Sequence, residues 1–270
     1  MCLILFSFKQ HPRYPLIIAA NRDEFYNRGS SPAAFWDDEP GMLAGKDLVA
    51  GGTWFGVTRS GRIAAITNYR EPGFHRMDAP SRGDLVTGYL RGAEAPEEYL
   101  KKLDKEAGRY NGFSLILGEP GNLYYFSNRR EGFQRLAPGL YGLSNHLLNT
   151  AWPKVERGKR ALAGILSGGG DPDPEELFHI LADRSRPPDD HLPHTGVGLE
   201  WERILSSLFI TSPVYGTRSS TVLLVHGEGR VTFVEKVFNS APEPLQVTRH
   251  EFDIERTGDK GKTRHDGQGR

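Results

Sequence analysis

Cys2 is the only cysteine among 270 residues, and it heads an apolar run, Leu3-Ile4-Leu5-Phe6-Ser7-Phe8. Removal of Met1 would leave a thiol and a free α-amine on one residue. The α-amine has a pKa of about 7.7–8.0 and the thiol about 8.5, so near neutral pH one can take the other's proton. That pair is a nucleophile carrying its own general base. Cysteine is small enough at this position for the preceding methionine to be removed. On position alone, the plainer alternative is that Met1 stays and Cys2 packs as a small hydrophobe in an edge strand.

An N-terminal thiol needs partners, and suitable residue types recur beside the expected strands. Asn21-Arg22-Asp23-Glu24 follows the second apolar run, Asn68 follows residues 63–67, and Asn145 follows residues 140–144. Thr217-Arg218-Ser219-Ser220-Thr221 precedes the run 222–225. An Asp or Arg can orient the amine and thiol, Asn amides can donate to the oxyanion of a tetrahedral intermediate, and a guanidinium favours the thiolate. Each has a plainer use. Asn after a strand commonly satisfies a turn, Arg22 and Asp23 suit a surface ion pair, and Arg218 suits a strand edge.

These residues need a scaffold of strands. Residues 2–8 and 15–20 read as two strands close enough to pair antiparallel, with the polar residues from Asn21 onward in a loop at the strand end. Residues 51–68 read as a hairpin with a two-residue turn at Ser60-Gly61. Residues 112–127 form another around 118–122, and 219–238 a third around His226-Gly227-Glu228-Gly229. Helices are expected at 81–91, 96–108, 152–167 and 174–183, three of them with proline in the first turn. Residues 28–48 and 184–198 read as loops that would shape a pocket. The result is an α+β fold, two groups of strands with four or five helices in one domain over 1–255. The segment 256–270 has no apolar residue and is expected to be disordered.

Composition limits the function. Lys+Arg and Asp+Glu are both 34, so no basic footprint for nucleic acid is present. One cysteine excludes an intramolecular disulfide and any multi-cysteine zinc site, and fits a reducing compartment. The N-terminal apolar run lacks the flanks of a signal peptide, and no stretch reaches the ~18 apolar residues of a membrane span. A cytoplasmic protein is expected.

Taken together, the blocks resemble one family. Asn21-Arg22-Asp23-Glu24 behind a Met-Cys start is the signature of the NRDE, or transport and Golgi organization protein 2, family. The resemblance runs over about residues 1–250. It includes Gly51-Gly52-Thr53-Trp54-Phe55-Gly56-Val57, Thr67-Asn68-Tyr69-Arg70, Ser81-Arg82-Gly83, Tyr141-Gly142-Leu143-Ser144-Asn145, Trp152-Pro153-Lys154-Val155 and Tyr215-Gly216-Thr217-Arg218-Ser219-Ser220-Thr221. It implies an N-terminal-nucleophile (Ntn) hydrolase-like four-layer αββα sandwich of two mainly antiparallel sheets. The related choloylglycine hydrolase and penicillin V acylase group places Cys2, Asp23, Asn68, Asn145 and Arg218 on matching catalytic positions. Those enzymes read Arg-Asn-x-Asp where this chain reads Ala20-Asn21-Arg22-Asp23, so either Arg22 substitutes from a neighbouring position or that role is empty. In an extended segment Arg22 lies on the opposite face from Asn21 and Asp23.

Two functions follow from the resemblance. One is hydrolysis of a non-peptide amide or related acyl bond in a small molecule, with Cys2 as nucleophile and no cofactor. The other is binding or trafficking of haem or an acyl-CoA lipid in the same cleft without turnover. His146, His179, His191 and His194 lie between strands, with no spacing diagnostic of a metal site. A structural protein of the secretory route is a third option, which the lack of a membrane span and signal peptide disfavours. No oligomeric state is implied.

Overall fold

The structure is a computed structural model that describes residues 2–241 and 243–255. Met1 and the polar segment 256–270 lie outside the described residues. The strands are β1 (Cys2–Phe8), β2 (Leu16–Phe25), β3 (Ser30–Trp36), β4 (Glu39–Asp47), β5 (Phe55–Thr58), β6 (Ile63–Asn68) and β7 (Phe113–Glu119). They continue as β8 (Asn122–Ser127), β9 (Phe133–Arg135), β10 (Gly139–Leu143), β11 (Tyr215–Val225), β12 (Arg230–Val237) and β13 (Gln246–Asp253). The helices are α1 (Gly83–Arg91), α2 (Pro96–Glu106), α3 (Pro153–Ser167), α4 (Pro174–Leu181) and α5 (Leu199–Leu205).

Two antiparallel sheets result, one ordered β10-β1-β2-β11-β12-β13 and the other β3-β4-β5-β6-β7-β8-β9. Side chains alternate across each strand, so each sheet contributes to two cores. Ile4, Phe6, Leu16 and Ile18 face Phe55, Val57, Ile63 and Ile116 between the sheets. Leu3, Leu5, Ile17 and Ala19 face Val155, Leu162, Leu177 and Leu181 of α3 and α4. On the far side, Ala64, Ile66 and Leu115 pack against Leu85, Val86, Tyr89 and Leu100 of α1 and α2. This is the four-layer αββα sandwich. No helix among the described residues is long and apolar enough to cross a membrane.

Three expectations need correction. Asn21–Glu24 is not a loop: β2 continues to Phe25, because it is paired on one side with β1 and on the other with β11. The hairpin turn near Ser60 is a three-residue loop, closed by Thr58 N–H to Arg62 O at 2.9 Å, with Gly61 left-handed at φ 86°. Residues 28–48 are not an open loop but hold the β3–β4 hairpin. Pro32 obscures β3 in the sequence. It is tolerated because β3 is an edge strand whose register shifts between Ser31 and Ala34.

Candidate active site

Cys2 is the first residue of β1 and stands directly across from Arg22 of β2. Directly opposed residues put their side chains on one face of the sheet. Here that face looks between the sheets, as the buried neighbours Ile4 and Ala20 show. The partly exposed Cys2 opens on a cleft of about 390 Å³. The cleft is also lined by Arg22, Trp54, Asn68 and Arg82. Ser144 Oγ donates to the Cys2 carbonyl at 3.2 Å, fixing the end of β1. Burial pushes the thiol pKa up; the Arg22 guanidinium and a hydrogen bond from the Asp23 backbone oppose this.

Arg22 and its neighbours divide between the two faces. Arg22 is only 5% exposed; its guanidinium lies 4.2 Å from the Trp54 ring centroid and reaches Asp47 at 3.3 Å. Arg28 holds the same Asp47 oxygen at 2.7 Å. Burial alone would raise the Asp47 pKa, but bonds from Arg28 and the Ala50 and Val49 amides outweigh it and hold the carboxyl low. Asn21 and Asp23 point to the helix layer. Asn21 Nδ2 donates to the Leu181 and Leu208 carbonyls, both at 2.9 Å, and Ser220 Oγ donates to Asn21 Oδ1 at 2.6 Å. Asp23 accepts from Thr217 Oγ1 at 2.7 Å. Burial raises the Asp23 pKa, opposed chiefly by the charge of Lys154.

The position of Arg22 therefore differs from the expected catalytic pattern in register but not in face. The resemblance would place the arginine of that pattern where this chain has Ala20. Ala20 and Arg22 are two residues apart on one strand, so both face the inter-sheet side.

Asn68 and Asn145 come from different sheets and meet. Asn145 Nδ2 donates to the Asn68 carbonyl at 3.0 Å, and Arg70 N–H donates to the Asn145 carbonyl at 2.8 Å. Asn145 is fully buried and adopts a left-handed φ of 54°. Only Asn68 lines the cleft. One residue further on, Tyr69 Oη and His146 Nε2 are 2.6 Å apart, a second tie across the sheets. Arg218 sits at the bulge between Thr217 and Ser219. Its Nη1 donates to the carbonyls of Phe25, Tyr26 and Arg28 at 2.9, 3.1 and 3.0 Å, so it grips the β2–β3 connection rather than lining the cleft.

Three cations around the site are not singled out by residue type and spacing. Arg82 lines the cleft, and burial pulls its guanidinium below the usual range while the charge of Cys2 counters this. Lys154 is 2% exposed, donates to the Leu205 carbonyl at 3.0 Å, and is depressed to about 8 by burial, with Asp23 opposing. Arg70 forms a buried pair with Glu202 at 2.8 Å. The available signal was block membership. Ser81-Arg82-Gly83 and Gly51-Gly52 touch: a Cβ on Gly52 would lie 2.7 Å from the Gly83 carbonyl carbon, so only glycine admits α1 this close.

Among the four interstrand histidines, His146 is engaged by Tyr69 and by Thr150 at 2.8 Å. The histidine on the cleft wall is His75. Among the described residues, no cluster of three or more His, Cys, Asp or Glu is arranged to hold a metal ion.

Known proteins share this architecture. Conjugated bile acid hydrolase from Clostridium perfringens, in two variant crystal structures, superposes with TM-scores of 0.50 and 0.52 at 9% and 10% identity. Each match covers 94% of this chain and 92% of the other. Identity this low shows the fold, an Ntn-hydrolase-type sandwich. In sequence, the transport and Golgi organization protein 2 homolog of Bos taurus is 39% identical over 278 residues, covering 94% of this chain and 100% of its own. The Drosophila melanogaster transport and Golgi organization protein 2 is 30% identical over 263 residues, covering 87% and 92%. The family model for Transport and Golgi organisation 2 matches residues 1–240. With that match over most of its length, the chain belongs to the Transport and Golgi organisation 2 family.

Proposed function

We propose that this protein is an N-terminal-nucleophile hydrolase acting on a non-peptide amide or related acyl bond, with Cys2 as nucleophile. One observation carries this reading: the sole thiol begins an inner strand, faces a cleft, and lies opposite a guanidinium. After removal of Met1, the Cys2 α-amine takes the thiol proton, and the thiolate attacks the substrate carbonyl carbon. The Asn68 side-chain amide donates to the resulting oxyanion, with Asn145 fixing the Asn68 backbone. The C–N bond breaks as the α-ammonium returns its proton to the leaving amine. Water then cleaves the thioester, releasing the acid and restoring the thiol. Burial favours the neutral resting thiol, which suits a nucleophile deprotonated by its own amine. Arg22 supplies positive charge beside the thiolate, Asp23 orients the site from the helix side, and Arg218 positions β2.

The test is intact mass of the natively expressed protein after exposure to an activated acylating probe. The expected species begins at Cys2 and carries one acyl group, absent from Cys2→Ala. Full retention of Met1 with no adduct overturns the proposal.

A non-catalytic haem-binding reading uses the same cleft. His75 and Met77 stand on its wall with Cys2, offering imidazole, thioether and thiolate, the usual axial ligand types of haem iron. A Soret shift on haem titration, lost in Cys2→Ala or His75→Ala, supports it. An unchanged spectrum rejects it.

A further inference from the structure

We infer that the cleft wall formed by Arg22, Arg82 and the N-terminus of α1 is a binding site for a carboxylate or phosphate group of the ligand, separate from the reacting carbonyl. Arg22 is 5% exposed, and its Nη1 is buried without a hydrogen-bond partner. Its other terminal nitrogen shares Asp47 with Arg28. Asp47 is already saturated, because its second oxygen accepts from the Val49 and Ala50 amides at 3.0 and 3.1 Å. Two guanidinium groups therefore share the Asp47 carboxylate; Arg22 also feels Glu235, whose carboxyl burial pushes toward the neutral form.

Arg82 adds a third cation. It donates to the Gly112 carbonyl at 3.0 Å and forms no ion pair among the described residues. Glu24 lines the cleft too; its Oε1 accepts from the Phe25 amide at 2.9 Å and its charge acts on Arg28 and Arg82, so three guanidinium groups stand against Asp47 and Glu24. Asp23 is turned to the helix side and accepts from Thr217. The Gly52–Gly83 contact brings the first turn of α1 to the wall, and the helix dipole adds positive potential there. A desolvated guanidinium N–H without an acceptor is costly, and an oxyanion in the cleft would supply the acceptor. The planar fork of Arg22 suits carboxylate and phosphate alike.

Assigning this anion to the substrate rests on the acyl-transfer reading; the binding site itself does not. Under that reading the substrate is an anionic amide or acyl compound, bound by its charged group on the Arg22–Arg82 wall.

The test is protection of Cys2 from iodoacetamide, a neutral alkylator that needs no enzymatic turnover. The carbamidomethyl adduct of the full chain is read by intact mass while sodium phosphate or sodium glutarate replaces chloride at constant ionic strength. Saturable slowing by phosphate alone assigns a phosphate group, by glutarate alone a carboxylate, and by both the shared oxyanion; each supports the site. Arg22→Gln and the less buried Arg82→Gln are each expected to raise the half-protecting concentration about tenfold. Arg249→Gln, on β13, is expected to leave it unchanged. Absence of protection by both anions overturns the site, as does protection undiminished in both cleft variants. If acylating probes never modify Cys2 yet an anion still shields it, the hydrolase reading falls and the anion site stands.

Discussion

The two faces of the β2 tip carry adjacent polar residues with opposite fates. On the helix side, Asn21 has both carbonyl partners and a hydroxyl donor, and Asp23 is held by Thr217. On the cleft side, Arg22 keeps one buried nitrogen without a partner, beside the chain's only thiol. The fully bonded Asn21 amide locks the strand; the Arg22 nitrogen on the cleft side is free to serve a ligand. Residues one position apart thus divide between architecture and chemistry, because the strand turns successive side chains to different layers.

The contrast can be broken most severely at Cys2. Cys2→Ala is expected to abolish acyl-probe labelling while leaving the unfolding midpoint nearly unchanged, since a small side chain replaces a small side chain. Residual labelling at another residue would detach chemistry from the cleft face.

On the helix side the next effect is in pH dependence. Lys154 is depressed from 10.5 to about 8, chiefly by burial. Between those values the unfolded chain holds a proton that the native state does not, so stability rises as pH climbs from about 8 toward 10.5. The expected contribution is of the order of 3 kcal/mol. Urea midpoints across this range should rise in the parent protein and flatten in Lys154→Met. Equal slopes would remove Lys154 from the account.

Substitution at neighbouring positions then compares the faces directly. Asn21→Ala strands two carbonyls and the Ser220 hydroxyl, an expected loss of about 2–3 kcal/mol by urea denaturation. Arg22→Gln should cost under about 1 kcal/mol, since Asp47 keeps Arg28 and the loop amides. Equal losses would end the distinction between the faces. The smallest effect is on the thiol: without the Arg22 charge, the pH midpoint of Cys2 alkylation should move upward. A downward shift would contradict the electrostatic role of Arg22.

Much of this was legible in residue patterns. The apolar run 3–8, the hairpin signals and the helices opening at Pro96, Pro153 and Pro174 match the observed elements closely. The β3–β4 hairpin was hidden, because Pro32 and the serines beside it read as loop, and edge position with a register shift is a property of the sheet. The polar tetrad at 21–24 read as a strand end because polarity marks exposure. It is strand because β1 and β11 pair with it from both sides. Arg218 read as a site residue, whereas the bulge turns it toward three backbone carbonyls. Lys154 gave no signal beyond its block, since burial of a lysine depends on what closes over it.

The sequence by itself determined that Cys2 heads an apolar strand and that Arg22 faces away from Asn21 and Asp23, because alternation with a period of two is local to the chain. It could not determine which face becomes the cleft. That was decided when β5 and β6 closed over one side of β1 and β2 while α3 and α4 covered the other. Nor could it determine which polar groups are spent. Asn21 meets Leu208 and Asn68 meets Asn145 across long stretches of chain, and only the folded sandwich brings those partners within hydrogen-bonding distance.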